Sequence, residues 1–154
     1  MSYPITIIVR HPNEKPVKCS VWPLRHRSDL LFLEYPPTQM PDLSGYVRLD
    51  PSGLPLSQAD ADKGLLLLDG SWRWAEVMTK RFSHVPARSL VGIRTAYPRA
   101  SKTYPDPEGG LATVEALYAA LRMLGRPTEG LLDHYYWAEE FQRLNKDLFD
   151  GSFP

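Results

Sequence analysis

The stretch Gly64-Leu65-Leu66-Leu67-Leu68-Asp69-Gly70-Ser71-Trp72 limits the fold more than any other in the chain. Four consecutive leucines leave no polar side to turn toward water, so both faces of the segment are covered, as in the middle of a parallel sheet. The run then stops on a carboxylate, a glycine and a hydroxyl, which neither a buried strand nor a helix interior requires. In parallel α/β sheets ligands bind beyond the carboxyl ends of the strands. The junction at Asp69 is therefore the first candidate for a functional edge.

Other segments supply the partners such a strand needs. Ile5-Thr6-Ile7-Ile8-Val9 is β-branched and reads as a buried strand. Cys19–Trp22, Leu30–Glu34 and Tyr46–Leu49 read as short strands, the last followed by the turn Asp50-Pro51-Ser52-Gly53. Ser57 with Asp60 three residues on opens a short helix as a capping box. Ser71 caps the next helix, which carries Trp72, Ala75, Val77 and Met78; Ser89–Arg94 follows as a strand. Residues 95–110 form a proline-rich loop of a length that is usually functional or disordered. Leu111, Val114, Leu117, Leu121 and Leu124 recur every three or four residues, an amphipathic helix stopped by Gly125. A last helix carries Leu131, Tyr135, Ala138, Phe141, Leu144 and Leu148. Strands alternating with helices imply an α/β fold with a largely parallel sheet.

Composition removes several function classes. The 154 residues fit one domain, and 43% hydrophobic with 23% charged residues is ordinary for a soluble globular protein. No apolar run is long enough to span a membrane, and the opening MSYPITIIVRHP has no signal-peptide pattern. The single cysteine, Cys19, has no internal disulfide partner, which favours a reducing, cytoplasmic setting. Dinucleotide-binding, phosphate-loop and HExxH patterns are absent, and His11, Cys19 and His26 match no zinc spacing, so no metal is expected. The formal net charge is zero, yet residues 1–102 hold 14 Lys/Arg against 9 Asp/Glu, and residues 103–154 hold 4 against 9. Between Ser71 and Lys102 the cations Arg73, Lys80, Arg81, Arg88, Arg94, Arg99 and Lys102 face only Glu76. This is either a phosphate-contacting surface or a solvated face balanced by the acidic C-terminal helices.

Two strand exits can hold a small ligand. At Asp69-Gly70-Ser71, glycine permits close backbone approach and a helix N-terminus attracts an anion. Gly109-Gly110-Leu111-Ala112-Thr113 repeats the arrangement. Each alone also reads as an ordinary capped turn; facing each other they form a pocket for a carboxylate and a flat ring.

Four segments together resemble one family: GLLLLDGSW, RSLVGIRTAYPR, GGLATVEALYAAL and YYWAEEFQRLNKDL, in that order. They are similar to the small-subunit rRNA aminocarboxypropyltransferases, enzymes of ribosome maturation, with Pro12–Ser20 a looser match to an N-terminal Asp-Pro-Lys-Lys-Cys-Thr. The DTW-domain tRNA-uridine aminocarboxypropyltransferases are a related alternative. A non-catalytic RNA-binding module and a small-molecule enzyme on the same pocket are two others. The resemblance implies a small N-terminal β-rich part, residues 1–50, and a SPOUT-like, trefoil-knotted part, residues 51–154, forming one compact unit. It implies S-adenosylmethionine as cofactor and transfer of its 3-amino-3-carboxypropyl group to a uridine or pseudouridine of structured RNA, rRNA foremost. Carried over by position, the cofactor residues are Ser20, Asp69, Gly70, Ser71, Leu90, Leu111, Ala112 and Thr113. Asp69 is also the candidate for charge or general-base help, with a structural capping role as the alternative. Trp72 fills the core or stacks on a base. Arg73, Lys80, Arg81, Arg99 and Lys102 are the expected RNA contacts, and a monomer is expected. The loop after Tyr97, Gly70 for a cysteine and Ala112 for a serine depart from the family pattern, and they bear on the substrate.

Overall fold

The computed structural model describes residues 3–16, 19–98 and 110–151, the side chain of Trp72 excepted. Five strands form one sheet: β1 (Thr6–Arg10), β2 (Leu30–Glu34), β3 (Tyr46–Pro55), β4 (Gly64–Asp69) and β5 (Ala87–Ser89). Their order is β2-β1-β4-β3-β5, and every pairing is parallel. The leucine run occupies β4, the central strand, with β1 on one side and β3 on the other. β3 passes through residue 50, so the segments before and after that point share the sheet.

Alternation along the strands divides two cores. Ile8, Val47, Leu65 and Leu67 join the larger cluster, which packs on α2 (Thr113–Met123), α3 (Ala138–Leu144) and α4 (Lys146–Asp150) through Val114, Leu117, Leu121, Phe141 and Phe149. Ile7, Val9, Tyr46 and Leu66 face the other way, onto Met78 and Phe82 of the segment containing α1 (Trp72–Arg81). Helices on both faces explain why the leucine run is covered, Leu65 to Leu67 fully and Leu68 in part. Each fully buried Leu stabilises the fold by roughly 1.5–3 kcal/mol relative to exposure.

Local departures have physical reasons. The expected strand Cys19–Trp22 is instead a 3-10 turn at Trp22–Leu24, where Pro23 lacks the N–H a strand ladder uses. The turn expected at 50–53 exists, but as an interruption inside β3: Leu49 and Leu54 both pair with Arg88, and Asp50 Oδ1 accepts from the Ser52 amide at 2.8 Å. A Cβ on Gly53 would stand 2.4 Å from the Ala87 carbonyl carbon, so only glycine passes there. β5 covers Ala87–Ser89 and shares only Ser89 with the expected strand Ser89–Arg94, because the chain turns at Gly92, which has φ +82°. The last helix begins only at Ala138, with Leu131 and Tyr135 in the turn-rich segment before it where Gly130 has φ +80°, and it is broken in two at Asn145, whose side chain is taken by Arg94. The Ser57–Asp60 box forms as read, and Gly125 at φ +71° ends α2.

Candidate functional site

Parallel pairing throughout puts the carboxyl ends of the strands on one edge of the sheet. Arg10 and His11 leave β1 there, and Asp69 ends β4 beside them, with the His11 amide donating to the Asp69 carbonyl at 2.9 Å. Asp69 is 3% exposed and uses both carboxylate oxygens. Oδ1 accepts from Thr113 Oγ1 at 2.7 Å; Oδ2 accepts from Cys19 Sγ at 2.8 Å and Arg10 Nε at 3.2 Å. One carboxylate thus joins the exits of β1 and β4, the segment at Cys19 and the first turn of α2. Burial, reinforced by the neighbouring Asp69 charge, pushes the Cys19 thiol up to about 12. Burial works against the Arg10 charge as well, but its bonds to Cys19 and Asp69 outweigh that and hold it above the ordinary value.

Ser20 lies one residue from this carboxylate's thiol donor and caps α2 from outside the helix, accepting from the Val114 amide at 3.0 Å. Its hydroxyl proton remains for another acceptor. Leu90, Leu111 and Ala112 are partly buried and pack on the larger core. Ser20, Asp69, Ala112 and Thr113 are therefore brought together where β4 ends and α2 begins.

Ser71 departs from its expected capping role, and Gly70 has close packing neighbours. A Cβ on Gly70 would meet Trp74 Cβ at 3.3 Å and His11 Cβ at 3.4 Å, so its bareness lets protein pack against protein. Ser71 makes no side-chain cap; its amide donates to Glu14 Oε2 at 2.9 Å, which places a carboxylate from the β1 exit at the start of α1. Of the expected RNA contacts, Arg73, Lys80 and Arg81 are exposed along α1, whereas Arg99 and Lys102 lie outside the described residues, as does most of the loop expected at 95–110. Arg88, part of the basic block, is turned inward to Asp60 at 3.2 Å.

Two buried side chains that the sequence reading passed over hold the edge in place. Glu115 is fully buried; its Oε1 accepts from Thr95 Oγ1 at 2.6 Å and the Ala112 amide at 2.9 Å. Its Oε2 accepts from the Ala96 amide at 2.8 Å and the Tyr135 hydroxyl at 3.0 Å. Burial, with Glu115 opposite, pushes the Tyr135 hydroxyl well above its ordinary range. Asn145 Oδ1 accepts from the Arg94 amide at 2.7 Å, and its Nδ2 donates to the Arg94 carbonyl at 2.8 Å. The signal for Glu115 was its place three residues after Ala112, the second half of a capping box. No group of His, Cys, Asp and Glu suited to a metal occurs among the described residues. A cavity of about 440 Å³ between Arg122, Arg126, Thr128 and Phe149 lies at the far end of α2, away from this edge.

No family model matches the chain. A 16S rRNA aminocarboxypropyltransferase of Methanopyrus kandleri is 33% identical over 156 residues, covering 94% of this chain and 87% of the relative. A second protein of that name, from Methanocaldococcus jannaschii, is 29% identical over 151 residues, covering 94% and 84%. The solved structure of the SAM-dependent rRNA:acp-transferase Tsr3 from Vulcanisaeta distributa matches with a TM-score of 0.73 at 28% identity, over 96% of this chain and 81% of its own.

Proposed function

The chain belongs to the family of S-adenosylmethionine-dependent rRNA aminocarboxypropyltransferases, and we propose that the edge around Asp69 is where it transfers the 3-amino-3-carboxypropyl group to a uridine or pseudouridine base. The observation that carries this placement is the joint anchoring of α2: Thr113 to Asp69 and Val114 to Ser20. Without it the two strand exits would be unrelated turns.

The donor groups fit the cofactor. Ser20 offers a hydroxyl proton at the start of α2, suited to the methionine carboxylate. Leu90, Leu111 and Ala112 offer an apolar wall suited to the adenine. When bound, S-adenosylmethionine would be held by Ser20, Leu90, Leu111 and Ala112 and would supply an activated sulfonium, with methylthioadenosine as the leaving group and the base N–H proton going to solvent. The protein's part is orientation, which is where most of the acceleration of such a displacement arises. Asp69, with both oxygens committed, is a positioning residue: it fixes Arg10, Cys19 and Thr113 relative to one another. Arg73, Lys80, Arg81, Arg99 and Lys102 are the residues assigned to RNA phosphates.

The finer architecture belongs to the same proposal. A SPOUT-like trefoil knot is supported by the strand order, in which the chain places β4 between β1 and β3 and then returns past β3 to β5. A crystal structure traced through every crossover tests it. A role in ribosome biogenesis, a cytoplasmic location and a monomeric state complete the reading; fractionation and light scattering at the 17.5 kDa chain mass test the last two. The reaction itself is tested by incubating the protein with a 16S rRNA transcript and S-adenosylmethionine labelled in either the carboxyl or the methyl carbon. Carboxyl label in the RNA is the expected result; methyl label there, without carboxyl label, would make the protein a methyltransferase.

A further inference from the structure

We propose that Trp74, in the first turns of α1, is a stacking surface for an rRNA base beside the reacting nucleotide, and that Arg73 gives up its place on that ring to take the nucleotide's phosphate. The inference rests on the rRNA reading above and adds to it the residue that receives the RNA.

Trp74 is partly buried but joins neither hydrophobic cluster. Its indole lies nearly flat on the His11 imidazole, with centroids 4.3 Å apart and planes 16° apart. His11 in turn stacks on Tyr35 at 5.8 Å and 21°. The three rings form a column along the carboxyl edge, drawn from the exits of β1 and β2 and the start of α1. The column is fixed to the site: the His11 amide donates to the Asp69 carbonyl at 2.9 Å, and His11 Nδ1 accepts from the Asn13 amide at 3.1 Å. Gly70 allows this approach, because its missing side chain leaves room for His11 and Trp74.

A guanidinium covers the ring: Arg73, exposed, has its Cζ 4.9 Å from the Trp74 centroid. An exposed cation–π contact is worth less than stacking of a nucleobase on an indole. Exchange of guanidinium for base therefore favours the complex, and the released Arg73 sits where the base's phosphate follows. Lys80 and Arg81, exposed further along the same helix, extend the cationic track that an RNA strand requires. A tryptophan held rigid at the rim of the site, outside both cores and beside solvated cations, has the chemistry of a single-strand RNA platform.

The test compares wild type with Trp74→Leu and Trp74→Phe, using a 16S rRNA transcript as acceptor, carboxyl-labelled S-adenosylmethionine as donor, and calorimetry for cofactor affinity. Trp74→Leu is expected to raise the KM for RNA by roughly 5- to 100-fold, with cofactor Kd within about twofold of wild type. Trp74→Phe, which keeps a ring, is expected to restore most of the loss. A KM for Trp74→Leu within about twofold of wild type overturns the proposal. So does a rise in cofactor Kd that matches the rise in KM, since the indole would then belong to the cofactor pocket. If wild type labels no rRNA, the rRNA reading fails instead, and filter retention of the same transcript by wild type and Trp74→Leu still decides whether the indole receives RNA.

Discussion

Asp69 commits both of its carboxylate oxygens to the protein: Thr113 on one, Cys19 and Arg10 on the other. Replacing it by asparagine keeps the shape, keeps an acceptor for Thr113, and turns an amide N–H₂ toward Arg10 and Cys19. Arg10, with a side chain only 12% exposed, then loses its ionic partner. Asp69→Asn should cost about 3 kcal/mol in urea denaturation and weaken cofactor binding by calorimetry. The pH–rate profile should keep its shape, because the carboxylate sets positions and takes no proton from the base. The thiol beside it makes a second, separable prediction. Cys19 has an ordinary value of 9.0 and is pushed up to about 12 by burial and then by Asp69. A folded protein that holds the thiol neutral has that stability in full below about pH 9 and loses it as pH rises toward 12. Cys19→Ser retains a donor to Asp69 but does not titrate there. The Tm of wild type should therefore fall more steeply than that of Cys19→Ser between pH 9 and pH 11, and parallel curves would contradict the assignment.

At the scale of elements, the start of α2 is held by three side chains, two from elsewhere and one from its own first turn: Ser20 on Val114, Asp69 on Thr113, Glu115 on Ala112. Glu115 also takes Thr95 and Ala96, so a single carboxylate grips the chain on both sides of residues 97–111. Glu115→Gln places an amide against four donors and leaves at least one without an acceptor. A loss of about 2–4 kcal/mol in stability is expected, with cofactor Kd raised at least tenfold, both readable in one calorimetric series. The pattern of what could be foreseen follows from range. β4, the Ser57–Asp60 box, α2 and its Gly125 stop are local patterns, legible because hydrophobic period and capping chemistry are written in adjacent residues. The break of the last helix was not legible, because it depends on Asn145 reaching Arg94, 51 residues away. Asp69 stood out because a carboxylate ends an apolar run; Arg10, whose partner is 59 residues off, had no such contrast. Ser20 entered only through the family resemblance, and its bond to the Val114 amide, 94 residues away, was not legible.

Across the whole molecule residues 1–102 and residues 103–154 carry opposite charge, yet folding withdraws several cations from the basic part. Arg10 goes to Asp69, Arg48 to Asp50 and Arg88 to Asp60. What remains exposed on α1 is Arg73, Lys80 and Arg81, on the helix whose N-terminus borders the site. A zero net charge gives no general attraction to RNA, so binding depends on where these cations stand. Each cation that neutralises a phosphate releases counterions and steepens the fall of affinity with salt, by roughly 0.7–0.9 in log–log slope. Wild type, with Arg99 and Lys102 counted among the contacts, should show a slope of roughly −3 to −5 with a 16S rRNA transcript. The triple change Arg73→Gln, Lys80→Gln, Arg81→Gln should make that slope shallower by about 2–3 while cofactor affinity stays as in wild type. The result separates a phosphate-contacting helix from a solvated one, because a solvated helix can lose the same three charges and leave the slope where it was. An unchanged slope would move the RNA to another face of the sheet and leave α1 with a packing role alone.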